Sequence, residues 1–269
     1  MRSAWLPRCL MHAAGMLVIF YIVFPLFIIV SVSLTDASYL SFPPKGLSLK
    51  WYYGIFSDSS YVRSISTSAY LAVTSGGLAL LLGVPCAYGI ARSRFTGSRG
   101  LVSFFLSPLM IPGIVVGIAT LQQASMLGIS RSFAALVIGH TVVTLPYVVR
   151  SVIVSLSHFP HNLEEAARDL GAGATYTFFH VTLPLVKPGV ISGGLFAVII
   201  SWINVEISIF GSTASLIPVP VKLFNYVQYN VDPSIAAVSG ASILVALVIV
   251  TLLDLVVGVE RAALSRAAK

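Results

Sequence analysis

Six largely apolar stretches, each long enough to cross a bilayer as a helix, constrain this chain more than any other feature. About 20 apolar residues span the hydrocarbon core. The segments that qualify are Gly15–Leu34, Ser68–Ile90, Leu101–Gln122, Phe133–Leu156, Pro188–Phe210 and Ala236–Gly258. In lipid each backbone N–H and C=O needs a partner within the protein, so helix is the expected state of every span. The expected fold class is an all-α membrane protein with six transmembrane helices. Pro85, Pro112 and Pro146 fall inside these spans, where neighbouring helices can re-satisfy the freed backbone groups. Composition agrees: 57% of residues are hydrophobic and 9% charged, with mean hydropathy +0.94, against about a quarter charged in soluble domains. Arg2 and Arg8 precede the first span as in a signal peptide, but that span exceeds a typical signal core and no small-x-small site follows. It is expected to be a retained helix.

The net charge of +7 has a topological reading. With six spans, one set of loops holds ten basic residues (Arg2, Arg8, Arg92, Arg94, Arg99, Arg168, Lys187, Arg261, Arg266 and Lys269). The other holds five, namely Lys45, Lys50, Arg63, Arg131 and Lys222. Basic residues accumulate on the cytoplasmic side, so both termini and the 159–186 loop are expected there. No basic run interleaved with aromatics points to nucleic acid. Cys9 and Cys86 lie at different depths and form no zinc site with clustered His. No metal ligand set and no catalytic motif is present, neither H-E-x-x-H nor G-x-S-x-G.

The 159–186 loop carries the most information. Asn162 to Leu170 reads NLEEAARDL. Asn162 is placed to cap a short helix, with Glu165 three residues on to close a capping box. Ala166 and Ala167 favour helix without surface bulk, and Gly171 and Gly173 end it. Phe178 and Phe179 follow and are not expected to stay bare in water. Two roles fit: a helix that merely closes the loop, or a rigid element seated in a groove of a soluble partner.

Glu165-Ala166-Ala167, three residues, Gly171, nine residues, then Val181-Thr182-Leu183-Pro184 resembles the E-A-A-x3-G-x9-I-x-L-P loop of type I ABC importer permeases, with Val181 in place of Ile. The motif lies before the penultimate span, as in that family, and the wider resemblance covers roughly 63–257. It implies a type I (MetI-like) permease core at 63–257 with a cytoplasmic coupling helix in the 159–186 loop. Residues 1–62 would be an N-terminal segment with the first helix and a periplasmic loop, and 258–269 a cytoplasmic tail. The family's loop seats in a cleft of the ATP-hydrolysing subunit. Glu165, Ala166, Ala167 and Gly171 are the implied contacts, with Arg168, Asp169, Phe178, Phe179, Leu183 and Pro184 joined to them. The chain contains no G-x-x-x-x-G-K-[ST] phosphate loop, so it is expected to be a non-enzyme that binds no cofactor, with ATP and Mg²⁺ used by a partner. The implied partners are an ABC ATP-binding subunit dimer, a second homologous permease (as a heterodimer), a periplasmic solute-binding protein and the bilayer. The implied location is the bacterial inner membrane.

The fifth span contains Ser201-Trp202-Ile203-Asn204-Val205-Glu206. A carboxylate inside a span is a functional candidate by default. In a continuous helix Trp202 and Glu206 share a face while Asn204 points elsewhere. No Lys or Arg of that span lies within helical reach of Glu206. It either faces a pathway or pairs across a subunit interface, or else reaches exterior water. His140 reads as a hydrogen-bonded packing residue. Pro220 to Tyr226 and the fifth span resemble the spermidine/putrescine-type branch, which implies a polyamine or other amine-containing solute on a path that includes Trp202, Asn204 and Glu206. The rival readings are an ion-coupled secondary transporter, which wants ionisable residues deep in several spans and inverted repeats, and an intramembrane enzyme, which wants a catalytic dyad.

Overall fold

The computed structural model describes residues 5–92, 97–230 and 232–267, with side chains over 11–92, 97–230, 232–248 and 250–251. Arg2, Arg94 and Lys269, counted above among the basic loop residues, lie outside the described residues. The elements are α1 (Trp5–Ser33), α2 (Lys50–Ser57), α3 (Ser59–Arg92), α4 (Ser98–Leu106) with a 3₁₀ turn (Ser107–Met110), α5 (Gly113–Met126) and α6 (Phe133–Ser157). There follow α7 (Asn162–Asp169), α8 (Ala174–Thr177), a π-turn (Phe178–Thr182), α9 (Leu183–Leu185), α10 (Lys187–Ile203), α11 (Ser208–Gly211), α12 (Val219–Val227) and α13 (Pro233–Ala267). Among the described residues the only β feature is an isolated bridge between Thr213 and Leu216. The fold is all-α, as expected.

Three helices are long and apolar enough to cross a membrane singly, over Met11–Ser33, Ser59–Arg92 and Phe133–Ser157. Two of the expected continuous spans are broken. The third divides into Ser98–Met110 and Gly113–Met126, bent by 101°. The reason is local: Ile111 is extended at φ −93°, ψ 133°, as a residue before proline prefers, and Pro112 caps α5. The fifth span ends at Ile203, and α11 starts only at Ser208. A second bend, of 74°, separates Ala174–Leu185 from Lys187–Ile203.

The chain divides into two compact units. The unit made of 1–62 and 223–248 contains a tight contact at Gly240, where an added Cβ would lie 2.7 Å from Tyr52 Oη. Tyr52 Oη in turn lies 2.8 Å from Ser33 Oγ. In the same unit the Tyr226 hydroxyl donates to Asp232 Oδ2 at 2.6 Å, and Asp232 Oδ1 accepts from the Ser234 N–H at 2.8 Å. Asp232 therefore caps the first turn of α13. That hydrogen bond, with burial and the nearby carboxylate charge, pushes the Tyr226 hydroxyl up to about 12.

The unit made of 63–222 and 249–269 holds an apolar core, where Ala79 and Ala87 of α3, Val148, Val149 and Val152 of α6 and Ala197 of α10 are all buried. Small residues let these helices touch backbone to backbone. A Cβ on Gly189 would lie 2.4 Å from Ser155 Cβ, and one on Gly193 would lie 3.0 Å from Val148 Cα. In membranes, where apolar surface gains little by leaving lipid, such close van der Waals approach is a main source of helix association. The Gly189/Gly193 pair is thus a real α6–α10 contact. Filling it should cost about 1–3 kcal/mol, the usual penalty of overpacking. Gly189→Val is expected to lower the Tm of the purified protein, while Gly77→Ala, with nothing within 4 Å of the added methyl, leaves it unchanged or slightly raised.

Candidate functional site: a carboxylate-locked loop and a broken helix

Helix α7 begins at Asn162, one residue earlier than a cap at Asn162 requires. His161 is already helical at φ −64°, ψ −23°, and its carbonyl accepts from the Glu164 and Glu165 N–H groups at 3.0 and 3.2 Å. The expected capping box does not form, and no side chain caps the helix. The two glutamates separate sharply. Glu165 is exposed, whereas Glu164 is only 1% exposed.

Glu164 is the residue the sequence did not single out. Its Oε1 accepts from Arg92 Nε at 2.9 Å and from Thr182 Oγ1 at 3.1 Å, and Oε2 accepts from the Tyr88 hydroxyl at 3.4 Å. His161 Nδ1 lies 3.2 Å from Oε2, without hydrogen-bond geometry. Arg92 also donates from Nη2 to the Phe159 carbonyl at 3.3 Å. One carboxylate thus ties α7 to the end of α3 and to the π-turn. The neighbouring Phe178 ring packs edge-on against Tyr88, with centroids 5.0 Å apart.

With that side locked, the opposite side of the loop is left open. Glu165, Ala166, Arg168 and Asp169 are exposed and Ala167 is half-buried. Leu170 is 90% exposed, and Gly171 turns the chain at φ +90°, a left-handed conformation that glycine adopts without strain. Leu163 and Tyr176 are exposed too. Phe178 is partly buried against the core, as expected, and so is Leu183. Phe179 is 55% exposed: it touches Phe178 edge-on, with ring centroids 5.1 Å apart, but lies outside the apolar cluster that takes up Phe178. Pro184 is exposed. Leu170 and Glu164, with the Arg92 and Tyr88 that hold Glu164, are therefore members of this site that the motif does not contain. A lone Leu beside a glycine resembles a core residue, and nothing in sequence tells which of two adjacent carboxylates is buried.

The second site is the break after α10. The Asn204 side chain accepts from the Ile207 N–H at 2.9 Å, and its carbonyl accepts from the Ser208 hydroxyl at 2.7 Å. Because the helix stops at Ile203, Trp202 and Glu206 do not share one helical face, and that expectation is corrected. Asn204 is instead the residue that satisfies the broken backbone, the role Asn plays at turns. Glu206 leans on the start of α5: a Cβ at Gly113 would lie 1.5 Å from Glu206 Oε2, and one at Gly117 would lie 2.6 Å from its carbonyl oxygen. A helix N-terminus carries partial positive charge and unpaired N–H groups. The Glu206 carboxylate is thus placed beside that end of α5. His140 pins the same break, with Nδ1 2.8 Å from Ser201 Oγ and Nε2 3.0 Å from Ser208 Oγ. Ser201 also meets Ser75 Oγ at 2.9 Å, so α3, α6, α10 and α11 meet in one buried polar string. His140 is a packing residue, as expected.

Comparison with known proteins places this architecture. Residues 79–267 match the model of the family described as binding-protein-dependent transport system inner membrane component. A spermidine/putrescine transport system permease protein of Haemophilus influenzae is 31% identical over 253 residues, covering 93% of this chain and 98% of that protein. The corresponding Escherichia coli K12 protein is 30% identical, covering 86% of this chain and 87% of that protein. A molybdenum transport system permease protein of Mycobacterium bovis is 32% identical, covering 75% and 81%. In fold, a chain of a bacterial ABC transporter that imports the polysaccharide alginate aligns with TM-score 0.75 at 18% identity, covering 94% of this chain and 97% of that one. This is the membrane-spanning permease of an ABC importer. The chain belongs to the binding-protein-dependent transport system inner membrane component family.

The Glu164 contacts make a direct prediction. Removing one partner of a buried ion pair costs about 3 kcal/mol or more, so Glu164→Ala should release α7 from α3. Faster amide hydrogen exchange and trypsin cleavage at Arg168 are the expected readouts. Arg92→Leu combined with Glu164→Leu should recover part of the loss, because no charge is then stranded.

Proposed function

We propose that this permease is driven through its 159–186 loop, with α7 as the coupling helix seated on a separate ATP-binding subunit that uses ATP and Mg²⁺. The observation that carries the reading is the asymmetry of α7: its Glu164 side is fixed to the membrane body, while Glu165, Ala166 and Leu170 are presented outward. An apolar side chain that is 90% exposed at the C-cap of a structured helix fits a pocket in a partner better than it fits water. In this reading the loop and both termini face the cytoplasm, a second and non-identical permease completes the path, and a periplasmic solute-binding protein delivers the solute. Closure of the ATPase pair would move α7 and, through Glu164 and Arg92, α3. Cysteines at 165 or 170 are expected to crosslink to the ATPase in membrane vesicles. Leu170→Arg should abolish ATP-driven uptake at unchanged membrane abundance. Absence of crosslinks at both positions would remove the docking assignment.

For the solute, the reading is a polyamine or another amine-containing small molecule, with Glu206 contacting its cationic end and Trp202 and Asn204 flanking that position. Two things support it: the exposed carboxylate at a break in the fifth span, where unwound backbone and helix ends are suited to ligand contact, and the relatives named for spermidine and putrescine. Uptake assays on Glu206→Gln are expected to show at least a ten-fold loss of amine transport with basal ATPase activity retained. Unchanged uptake and unchanged preference would remove Glu206 from the path.

A further inference from the structure

A second polar region lies on the other half of the same helix pair. Between α6 and α10, a groove of about 520 Å³ is lined by Arg150, Ser151, Ser155, His158 and Ser192, with Tyr147 and Phe196 at one end. Arg150 stands seven residues before α6 ends at Ser157, about 10 Å from the loop end at 1.5 Å per residue. An arginine at this depth is normally paired or reaches an interface. Here the guanidinium makes no ion pair or hydrogen bond with a described residue, and no Asp or Glu lines the groove.

The serines point the same way. Thr141, Thr144 and Ser157 of α6 donate their hydroxyls to carbonyls three or four residues back. Ser151, Ser155 and Ser192 make no hydrogen bond to a described residue, so three hydroxyls remain beside the guanidinium. His158 Nδ1 is committed to the Val154 carbonyl at 2.7 Å, which leaves Nε2 for a ligand. Tyr147 and Phe196 stack with centroids 6.4 Å apart and planes at 27°, and they supply an apolar end.

We infer that this groove binds a tetrahedral oxyanion of the phosphate type through Arg150 and the Ser151, Ser155 and Ser192 hydroxyls. The chemistry matches: a planar guanidinium donates two parallel bonds to such a group, and hydroxyls satisfy its remaining oxygens. An amine-bearing solute is repelled by the same set, so the groove is not a resting place for a polyamine. Two sources share the chemistry, the phosphodiester headgroup of an anionic phospholipid and a soluble phosphate. The inference does not depend on the solute assigned above.

The test uses the assembled importer purified in mild detergent, as wild type, Arg150→Gln, Arg150→Lys and Ser155→Ala/Ser192→Ala. Native mass spectrometry after exposure to mixed phosphatidylglycerol and phosphatidylcholine reads the lipid arm, and ³¹P NMR line broadening of inorganic phosphate reads the soluble arm. If the ligand is a lipid, wild type retains phosphatidylglycerol over phosphatidylcholine, Arg150→Gln loses that preference at least five-fold, and Arg150→Lys keeps part of it. If it is a soluble anion, the phosphate line broadens with wild type and narrows with Arg150→Gln, with no lipid preference. The serine double variant keeps the comparison available should Arg150→Gln fail to assemble. Equal behaviour of wild type and variants in both arms overturns the site.

Discussion

A single carboxylate withdrawn from water holds the loop in its working shape. Glu164 gives up hydration and receives in return an arginine at 2.9 Å, a threonine hydroxyl at 3.1 Å and a tyrosine hydroxyl at 3.4 Å. Desolvation offsets most of the attraction in such a pair, so it is a poor source of net stability. What it provides is geometry. Arg92 is the last residue of a 34-residue helix, and it fixes which side of an eight-residue helix faces inward. The outward display of Glu165, Ala166 and Leu170 follows from that constraint. Gly171 then lets the chain leave without covering the displayed surface.

The other organising constraint is the cost of a bare backbone group in lipid. The span interrupted after α10 meets it with local devices. After α10, the Asn204 amide and carbonyl take the Ile207 N–H and the Ser208 hydroxyl, and His140 joins the broken end to α6. At the start of α5, Gly113 leaves room for the Glu206 side chain to pack against the backbone. The two breaks thus lie against each other within one unit of the chain.

Much of this was legible in the sequence and some could not be. Apolar length located the three long apolar helices and the two bent pairs, and the Glu165-to-Pro184 spacing located the loop. The breaks were hidden because spans tolerate proline. Pro85 and Pro146 sit inside unbroken helices, while Pro112 follows an extended Ile111. The Asn204 break has no proline at all, only an amide able to replace a helical hydrogen bond. Glu164 and Glu165 differ by one position, about 100° around a helix, and only the location of Arg92, 72 residues earlier, decides between them.

The near-contact of backbones at Gly189 and Gly193 bears on how force travels. The helices that enter and leave the loop are α6 and the pair α9–α10, and α6 and α10 interlock with only the small Ser151 and Ser155 side chains and backbone atoms of α6 against the two glycines. A push on the loop cannot splay them apart without opening a void that lipid would have to fill. Displacing α6 therefore displaces α10 with it. The seam between them thus continues from the loop end of α6 toward Asn204, where α10 stops.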